Sequence, residues 1–152
     1  MTVQYHNRRR DEAAERELPA KYLELDELLA TSDFVMLCVP LTAETRGLIG
    51  REQLKRMKRT AILVNIARGP VVDTQAITEA LQQRWIYAAG LDVTDPEPLP
   101  RDHPLLSCDN LTIAPHLGSA TEQTRQRMAE ISVENLLLGL TGQPLKHEVR
   151  GS

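Results

Sequence analysis

Four uninterrupted apolar segments are the strongest structural signal along the chain. They cover residues 34–39 (FVMLCV), 61–66 (AILVNI), 87–93 (YAAGLDV) and 111–115 (LTIAP). Apolar and polar residues do not alternate within them, which is typical of strands buried on both faces of a parallel sheet. A weaker strand is predicted for residues 2–6 (TVQYH).

Between these segments, apolar residues recur at the spacing that is typical of helices. Short helices are predicted over residues 26–30, 52–58 and 74–84, the last of them with Asp73 as its N-cap. Strands that alternate with helices indicate βαβ units. The predicted fold class is therefore α/β, a doubly wound parallel sheet of the Rossmann type.

One longer helix is predicted near the end of the chain. Ser119 and Glu122 have the spacing of a capping box, in which each side chain bonds a backbone N–H of the first turn. The helix is expected to run to about Leu138 and to stop at Gly139.

Composition and charge narrow the functional classes. Of the 152 residues, 41% are hydrophobic and 26% are charged, which is typical of a globular protein. The formal net charge is -3, and the sequence lacks the basic stripe that is typical of a nucleic-acid binder. No apolar run approaches the ~20 residues that a membrane-spanning helix needs. Two cysteines make no disulfide framework, which favours a reducing compartment. We therefore expect a cytoplasmic globular protein with neither a nucleic-acid nor a membrane partner.

Polar side chains follow three successive predicted strands. Arg68 comes after the second apolar segment, Glu97 after the third and His116 after the fourth. Ligands of parallel α/β sheets bind at the carboxyl ends of the strands, where these side chains would meet. An arginine binds a carboxylate through two N–H groups, and a histidine exchanges a proton near neutral pH. The three together predict proton transfer to the carbonyl of a small 2-oxo acid.

Each of these residues also has an ordinary interpretation on its own. Taken alone, Arg68 is better explained by a surface turn, Glu97 by a solvated loop charge, and His116 by a cap of the following helix or a satisfied loop position. The joint occurrence at three neighbouring strand ends favours the site. No group of cysteines and histidines has metal-ligand spacing, so no metal is predicted.

Four linked stretches carry a resemblance to a known family. CVPLTAETRGLI, ILVNIARGPVVD, AAGLDVTDPEPLP and IAPHLGSATEQTR resemble the NAD(P)-binding domain of the D-isomer-specific 2-hydroxyacid dehydrogenases, and look most like its glyoxylate/hydroxypyruvate reductases. The resemblance implies reduction of a small 2-oxo acid to a D-2-hydroxy acid by hydride transfer from NAD(P)H. It makes His116 the proton donor, Glu97 its carboxylate partner and Arg68 the substrate-binding cation. It also implies a homodimer in the full-length parent.

The resemblance further implies a set of cofactor-binding residues near the strand ends. The predicted set is Asn7, Arg8, Arg9, Val39, Pro40, Thr45, Ile66, Ala67, Arg68, Asp92, His116 and Gly118. Where NAD enzymes carry an acidic residue for the ribose hydroxyl, this chain has the run NRRR, which suits a 2′-phosphate. NADP(H) is therefore predicted in preference to NAD(H).

The sequence departs from the family in one respect. Its eight glycines nowhere take the G-x-G-x-x-G spacing of the phosphate-binding turn, and the strand that precedes this turn is not found either. We therefore expect an incomplete Rossmann-like domain over residues 1–118. A C-terminal helix and tail over 119–152 would return to a substrate domain. The strand at residues 2–6 is expected not to pair with the strand at residues 34–39.

Two other functional hypotheses fit these residues. The chain could be a catalytically inactive truncated fragment of such a reductase. It could also be a dinucleotide-sensing interaction protein, because the C-terminal-binding transcriptional corepressors resemble the same family. The TDPEPLP and HPLL stretches favour the reductase.

Overall fold

Strands and helices alternate along the chain in the computed structural model, which describes residues 1–149. Two short 3-10 helices, Gly69–Val71 and Pro104–Ser107, interrupt the loops. The main elements are β1 (Val3–Tyr5), α1 (Glu12–Glu17), β2 (Ala20–Tyr22), α2 (Leu25–Thr31), β3 (Phe34–Leu37), α3 (Arg51–Arg56), β4 (Ile62–Asn65), α4 (Thr74–Gln82), β5 (Ala88–Leu91), β6 (Leu111–Ile113) and α5 (Glu122–Leu140).

The strands form two separate parallel sheets. The larger one has the order β3-β4-β5-β6, and the smaller one pairs only β1 with β2. This confirms the parallel α/β class, and it confirms that β1 does not pair with β3. The Gln4 side chain joins β1 to the end of α2 by donating to the hydroxyls of Thr31 and Ser32, at 3.1 and 3.2 Å.

The expectation that every strand is buried on both faces is wrong for β3 and for β6. In β6, the last strand of the sheet order, Thr112 and Ile113 are both exposed. Val35 and Leu37 are buried on the face that helices cover, whereas Phe34 is 66% exposed and Met36 is 61% exposed. Alternate side chains of a strand point to opposite faces, so only one face of β3 is covered within the described residues. β4 and β5 come closer to the prediction, because their residues are all buried or half-buried.

Two small elements were not predicted. Helix α1 has no buried residue and depends on Asp11, whose carboxylate accepts from the N–H groups of Ala13 and Ala14. Strand β2 has only three residues, which are too few to show a periodic pattern of apolar and polar positions. Asp73 is the N-cap of α4 as predicted, and its carboxylate accepts from the Ala76 N–H at 2.9 Å.

Both predicted ends of the long helix α5 are wrong. Ser119 lies in a turn closed by the bond from Ala120 N–H to Leu117 carbonyl, and the N-cap is Thr121, whose hydroxyl accepts from the Thr124 N–H. Glu122 is thus the first helical residue and not the third. A hydroxyl that reaches the third N–H defines the cap, and Thr121 meets that condition.

The helix α5 also continues through Gly139 to Leu140. It ends where Gly142 adopts a left-handed backbone with φ of 67°. The N–H groups of Gly142 and Gln143 then bond to the carbonyls of Gly139 and Leu138. This is a Schellman ending, in which glycine is favoured at the position that Gly142 occupies.

The chain divides into two compact units, one over residues 1–115 and the other from His116 onward. The domain boundary predicted after Gly118 stays a prediction, and residues 150–152 of the predicted tail lie outside the described residues. None of the helices in the described part is long and apolar enough to cross a bilayer.

Candidate active site

The turn that follows β4 carries Arg68. The Asn65 side chain, 1% exposed, closes this turn. Its Oδ1 accepts from the Ala67 N–H and its Nδ2 donates to the Arg68 carbonyl, both at 3.0 Å. The exposed Arg68 guanidinium donates one N–H to the Ala67 carbonyl at 2.6 Å. A guanidinium has five N–H groups, so donors are left for a ligand.

The turn after β4 packs directly against the loop after β5. A Cβ on Gly69 would lie 1.9 Å from the Thr94 carbonyl oxygen, so only a glycine fits there. The loop is held from the other side by the Thr74 hydroxyl, which donates to the Asp95 carbonyl at 2.7 Å. This loop carries Glu97, whose carboxylate accepts from the Thr94 N–H at 3.4 Å. The structure therefore brings together the two loops that carry Arg68 and Glu97.

His116 is the first residue of the second unit and is exposed. Its backbone is left-handed, with φ of 56°. A residue with a Cβ loses about 1–2 kcal/mol in this conformation, which glycine adopts freely. Residues in such conformations occur often at active sites and ligand-binding sites. Gly118, another predicted cofactor-binding residue, lies exposed in the same unit.

The loop after β3 holds three of the predicted cofactor-binding residues. Val39 is half-buried and Pro40 is exposed. The Thr45 hydroxyl donates to the Pro40 carbonyl at 2.6 Å and accepts from the Thr42 N–H at 2.8 Å. The Thr45 hydroxyl therefore shapes the loop. Ile66, 50% exposed after β4, offers an apolar surface at the same edge of the sheet.

The basic run after β1 is divided by an ion pair. Arg10 donates two N–H groups to the Glu15 carboxylate at 2.8 Å, and the Tyr5 hydroxyl donates to it at 2.7 Å. These bonds, with Arg10 first, lower the pKa of Glu15 to about 2. Arg8 and Arg9 are exposed, and in the described part of the chain neither forms an ion pair. Arg10 is exposed as well, but its charge is paired with Glu15.

A second carboxylate lies near this basic run. The pKa of Glu44 is lowered, mainly because the Thr42 hydroxyl donates to it at 2.6 Å, and the charge of Arg8 adds to the effect. The charge of Arg8 in the turn after β1 therefore acts on a side chain of the loop after β3. Asp92, half-buried after β5, donates its backbone N–H to the Asn65 carbonyl.

Two residues of the site were not identified from the sequence. Asn65 gives a local signal, because it is the one polar residue of the segment AILVNI and a buried amide there must be hydrogen-bonded. Gly69 gives no such local signal. It must lack a side chain because of its contact with Thr94, which lies 25 residues further along the chain. Among residues 1–149 no three acidic, histidine or cysteine side chains are grouped to bind a metal.

Comparison with known proteins identifies the family. Residues 1–118 match the model of the D-isomer specific 2-hydroxyacid dehydrogenase, NAD binding domain. The chain belongs to this family. The crystal structure of the TT0316 protein from Thermus thermophilus is similar over 99% of this chain and 46% of that one, with a TM-score of 0.90 and 51% identity.

Relatives in this dehydrogenase family include named reductases. Glyoxylate/hydroxypyruvate reductase B of Yersinia pestis (strain Pestoides F) is 53% identical over 142 residues, which are 93% of this chain and 44% of the relative. Glyoxylate reductase of Korarchaeum cryptofilum is 54% identical over 137 residues, 90% of this chain and 41% of the relative. The chain thus spans less than half the length of these relatives. The family match indicates a nicotinamide dinucleotide as cofactor.

The Gly69→Ala variant should be less stable than the wild type by about 1–3 kcal/mol, because the new Cβ forces the turn away from Thr94. Urea unfolding measures the loss. Gly90→Ala is the matched control, since the nearest atom to its new Cβ is Val64 Cγ2 at 3.9 Å. Equal stability of the two variants would contradict the close approach.

The pair formed by Arg10 and Glu15 should stabilise the fold only above acidic pH. The pKa of Glu15 falls from 4.5 to about 2 on folding, so its contribution is complete above pH 4.5 and is lost as the pH falls towards 2. The stability difference between the wild type and Glu15→Gln, measured by urea unfolding, should narrow over that range. Glu12→Gln, whose Arg16 contact is long at 4.0 Å, is the control. A difference independent of pH would show that charge is not its origin.

Proposed function

We propose that the chain is the cofactor-binding part of a reductase that converts a small 2-oxo acid of the glyoxylate or hydroxypyruvate type to the D-2-hydroxy acid. The observation that carries this proposal is the packing of Gly69 against Thr94, which holds the loops of Arg68 and Glu97 together. The names of the relatives supply the substrate class.

Arg68 is the proposed substrate-binding residue. One of its N–H groups is already donated to the Ala67 carbonyl, which fixes the plane of the guanidinium. The remaining N–H groups can bind the substrate carboxylate through two bonds and its carbonyl oxygen through a third. A bound cation also stabilises the negative charge that develops on that oxygen.

His116 is the proposed proton donor and Glu97 its carboxylate partner. A histidine can protonate the carbonyl oxygen near neutral pH. Helix α5 begins beyond His116, after its cap at Thr121, so the positive end of the helix is more than one turn of chain away. The electrostatic effect of a helix N-terminus falls off within the first turn.

The residues around the site suit part of a nicotinamide dinucleotide. The exposed Ile66 offers an apolar contact for a flat ring, and Arg8 and Arg9 suit a ribose phosphate. Val39, Pro40 and Asp92 would complete the lining. When bound, a reduced nicotinamide supplies hydride to the carbonyl carbon. Within this chain no glycine-rich turn contributes to the pyrophosphate.

The biological setting follows from the same proposal. We place the reductase in the cytoplasm, as a homodimer in its full-length form, with a small 2-oxo acid as its partner and no role at nucleic acids or membranes. Gel filtration measures the oligomeric state of the purified protein. The Arg68→Ala variant, which lacks the proposed substrate-binding side chain, shows whether that state is independent of ligand binding.

Replacing His116 by asparagine should lower NADPH oxidation with glyoxylate or hydroxypyruvate by about 10²–10⁴-fold, because asparagine cannot transfer a proton. Asparagine tolerates the left-handed backbone, so the fold is kept. The matched control is His103→Asn, in the loop before β6, which keeps an acceptor for the Leu105 N–H. The assay uses the full-length reductase that contains this chain. A full-length protein without NADPH oxidation, or an active His116→Asn variant of it, would contradict the proposal.

Arg8→Ala should lower the preference for NADPH over NADH about tenfold or more, since a hydrogen bond to a charged group is worth about 1.5–3 kcal/mol. The measurement compares turnover, or binding of the two dinucleotides, in the variant and the wild type. Arg59→Ala removes an exposed arginine before β4 and serves as the control. An unchanged ratio in Arg8→Ala would exclude Arg8 as the residue that recognises the phosphate.

A further inference from the structure

Asn65 is the buried side chain that uses both of its polar atoms on the turn of Arg68. It is 1% exposed at the end of β4, among apolar residues. Its side-chain oxygen accepts a hydrogen bond from the Ala67 N–H, and its side-chain nitrogen donates one to the Arg68 carbonyl. Its own backbone carbonyl accepts from the Asp92 N–H at 3.0 Å. The residue therefore connects the turn of Arg68 to the end of β5.

The two bonds enclose the backbone of Arg68. Between the groups held by Asn65 lies the Ala67 carbonyl, and this is the carbonyl that receives the N–H from the Arg68 guanidinium. The side-chain amide thus fixes the orientation of the peptide on which the guanidinium rests. Arg68 itself is extended, with φ of -144° and ψ of 146°. Its carbonyl also accepts from the Val71 N–H at 3.1 Å, whereas the Ala67 N–H on the other side of the peptide is held by Asn65.

We propose that Asn65 is a positioning residue for Arg68, which orders the guanidinium before a carboxylate ligand arrives. This inference rests on the proposed function only for the identity of that ligand. Side chains held in advance lose less conformational entropy on binding, and affinity rises accordingly. Loss of the amide should therefore weaken carboxylate binding through Arg68 although Asn65 never touches the ligand.

Two variants separate the amide from the volume that it fills. Asn65→Leu keeps nearly the same shape and removes both bonds. Asn65→Asp keeps an oxygen for the Ala67 N–H and removes the N–H that reaches the Arg68 carbonyl. Thr78→Val is the matched control, because Thr78 is also buried, at 8% exposure, and its hydroxyl donates to the Thr74 carbonyl at 2.6 Å inside α4.

The direct readouts are the hydrogen exchange of the Ala67 amide and the NMR signal of the Arg68 Nε–H group, measured on the whole chain. In Asn65→Leu we expect the Ala67 amide to exchange about tenfold faster or more, beyond any change in global stability, which Thr78→Val calibrates. The Arg68 signal should shift and narrow. Asn65→Asp should keep most of the Ala67 protection and still alter the Arg68 signal.

Several results would overturn the inference. An unchanged Arg68 signal in Asn65→Leu would show that the guanidinium is ordered without the amide. The same changes in Thr78→Val would show a general loss of stability. Unfolding of both Asn65 variants, with Thr78→Val folded, would make Asn65 a requirement of the entire sheet and not of this turn.

Oxalate, a small dicarboxylate, is the ligand probe. With NADPH present, its affinity should fall about tenfold in Asn65→Leu, which corresponds to about 1.4 kcal/mol, and should be unchanged in Thr78→Val. If the wild type binds no oxalate, the proposed function fails for this chain. The amide exchange and the Arg68 signal still decide the role of Asn65, so the two failures are distinguishable.

Discussion

The site depends on the close approach of two backbones beyond the ends of β4 and β5. These strands pair in parallel with Asn65 opposite Leu91, so their following loops leave the sheet side by side. Parallel strands lie about 4.8 Å apart. Loops that start at this spacing stay together only where neither carries a bulky side chain between them, and Gly69 meets that condition against Thr94. The loops that carry Arg68 and Glu97 lie side by side because the backbone at Gly69 passes Thr94 without a Cβ.

The helix below the sheet gives this contact its rigidity. Leu63 of β4 and Ile77 and Leu81 of α4 are almost fully buried together in one core cluster. The N-terminus of α4 points at the loop after β5, and Thr74 bonds to that loop directly. Side chains placed on packed strands and helices hold their geometry better than those on long free loops. The loops of the site are therefore anchored to elements that pack in the core.

Much of the fold could be predicted from the sequence because apolar continuity and helix caps are local signals. The segments that become β3, β4, β5 and β6 stand out for this reason, as does Asp73 at the start of α4. The sequence could not show which face of β3 is covered, since Phe34 and Val35 are equally apolar. The ends of α5 were misplaced because Ser119 and Thr121 both satisfy a capping pattern, and only the turn at Leu117 decides between them. In the site, Arg68 and Glu97 follow from strand ends, whereas the close contact of Gly69 depends on a distant loop.

The charge that the basic run after β1 presents to solvent depends on how the run folds more than on how many arginines it contains. Three successive arginines after β1 suggest a strongly positive site, but Arg10 is held by Glu15 in two bonds and is not available to a phosphate. Glu44, held by Thr42, acts in the opposite sense, because a carboxylate near Arg8 satisfies part of the charge that a 2′-phosphate would otherwise neutralise. A phosphate must displace solvent from exposed cations whose charge is already screened, and such surface interactions are individually modest. Arg8 and Glu44 therefore place opposite charges at this part of the surface, and the net positive charge there is smaller than three successive arginines suggest.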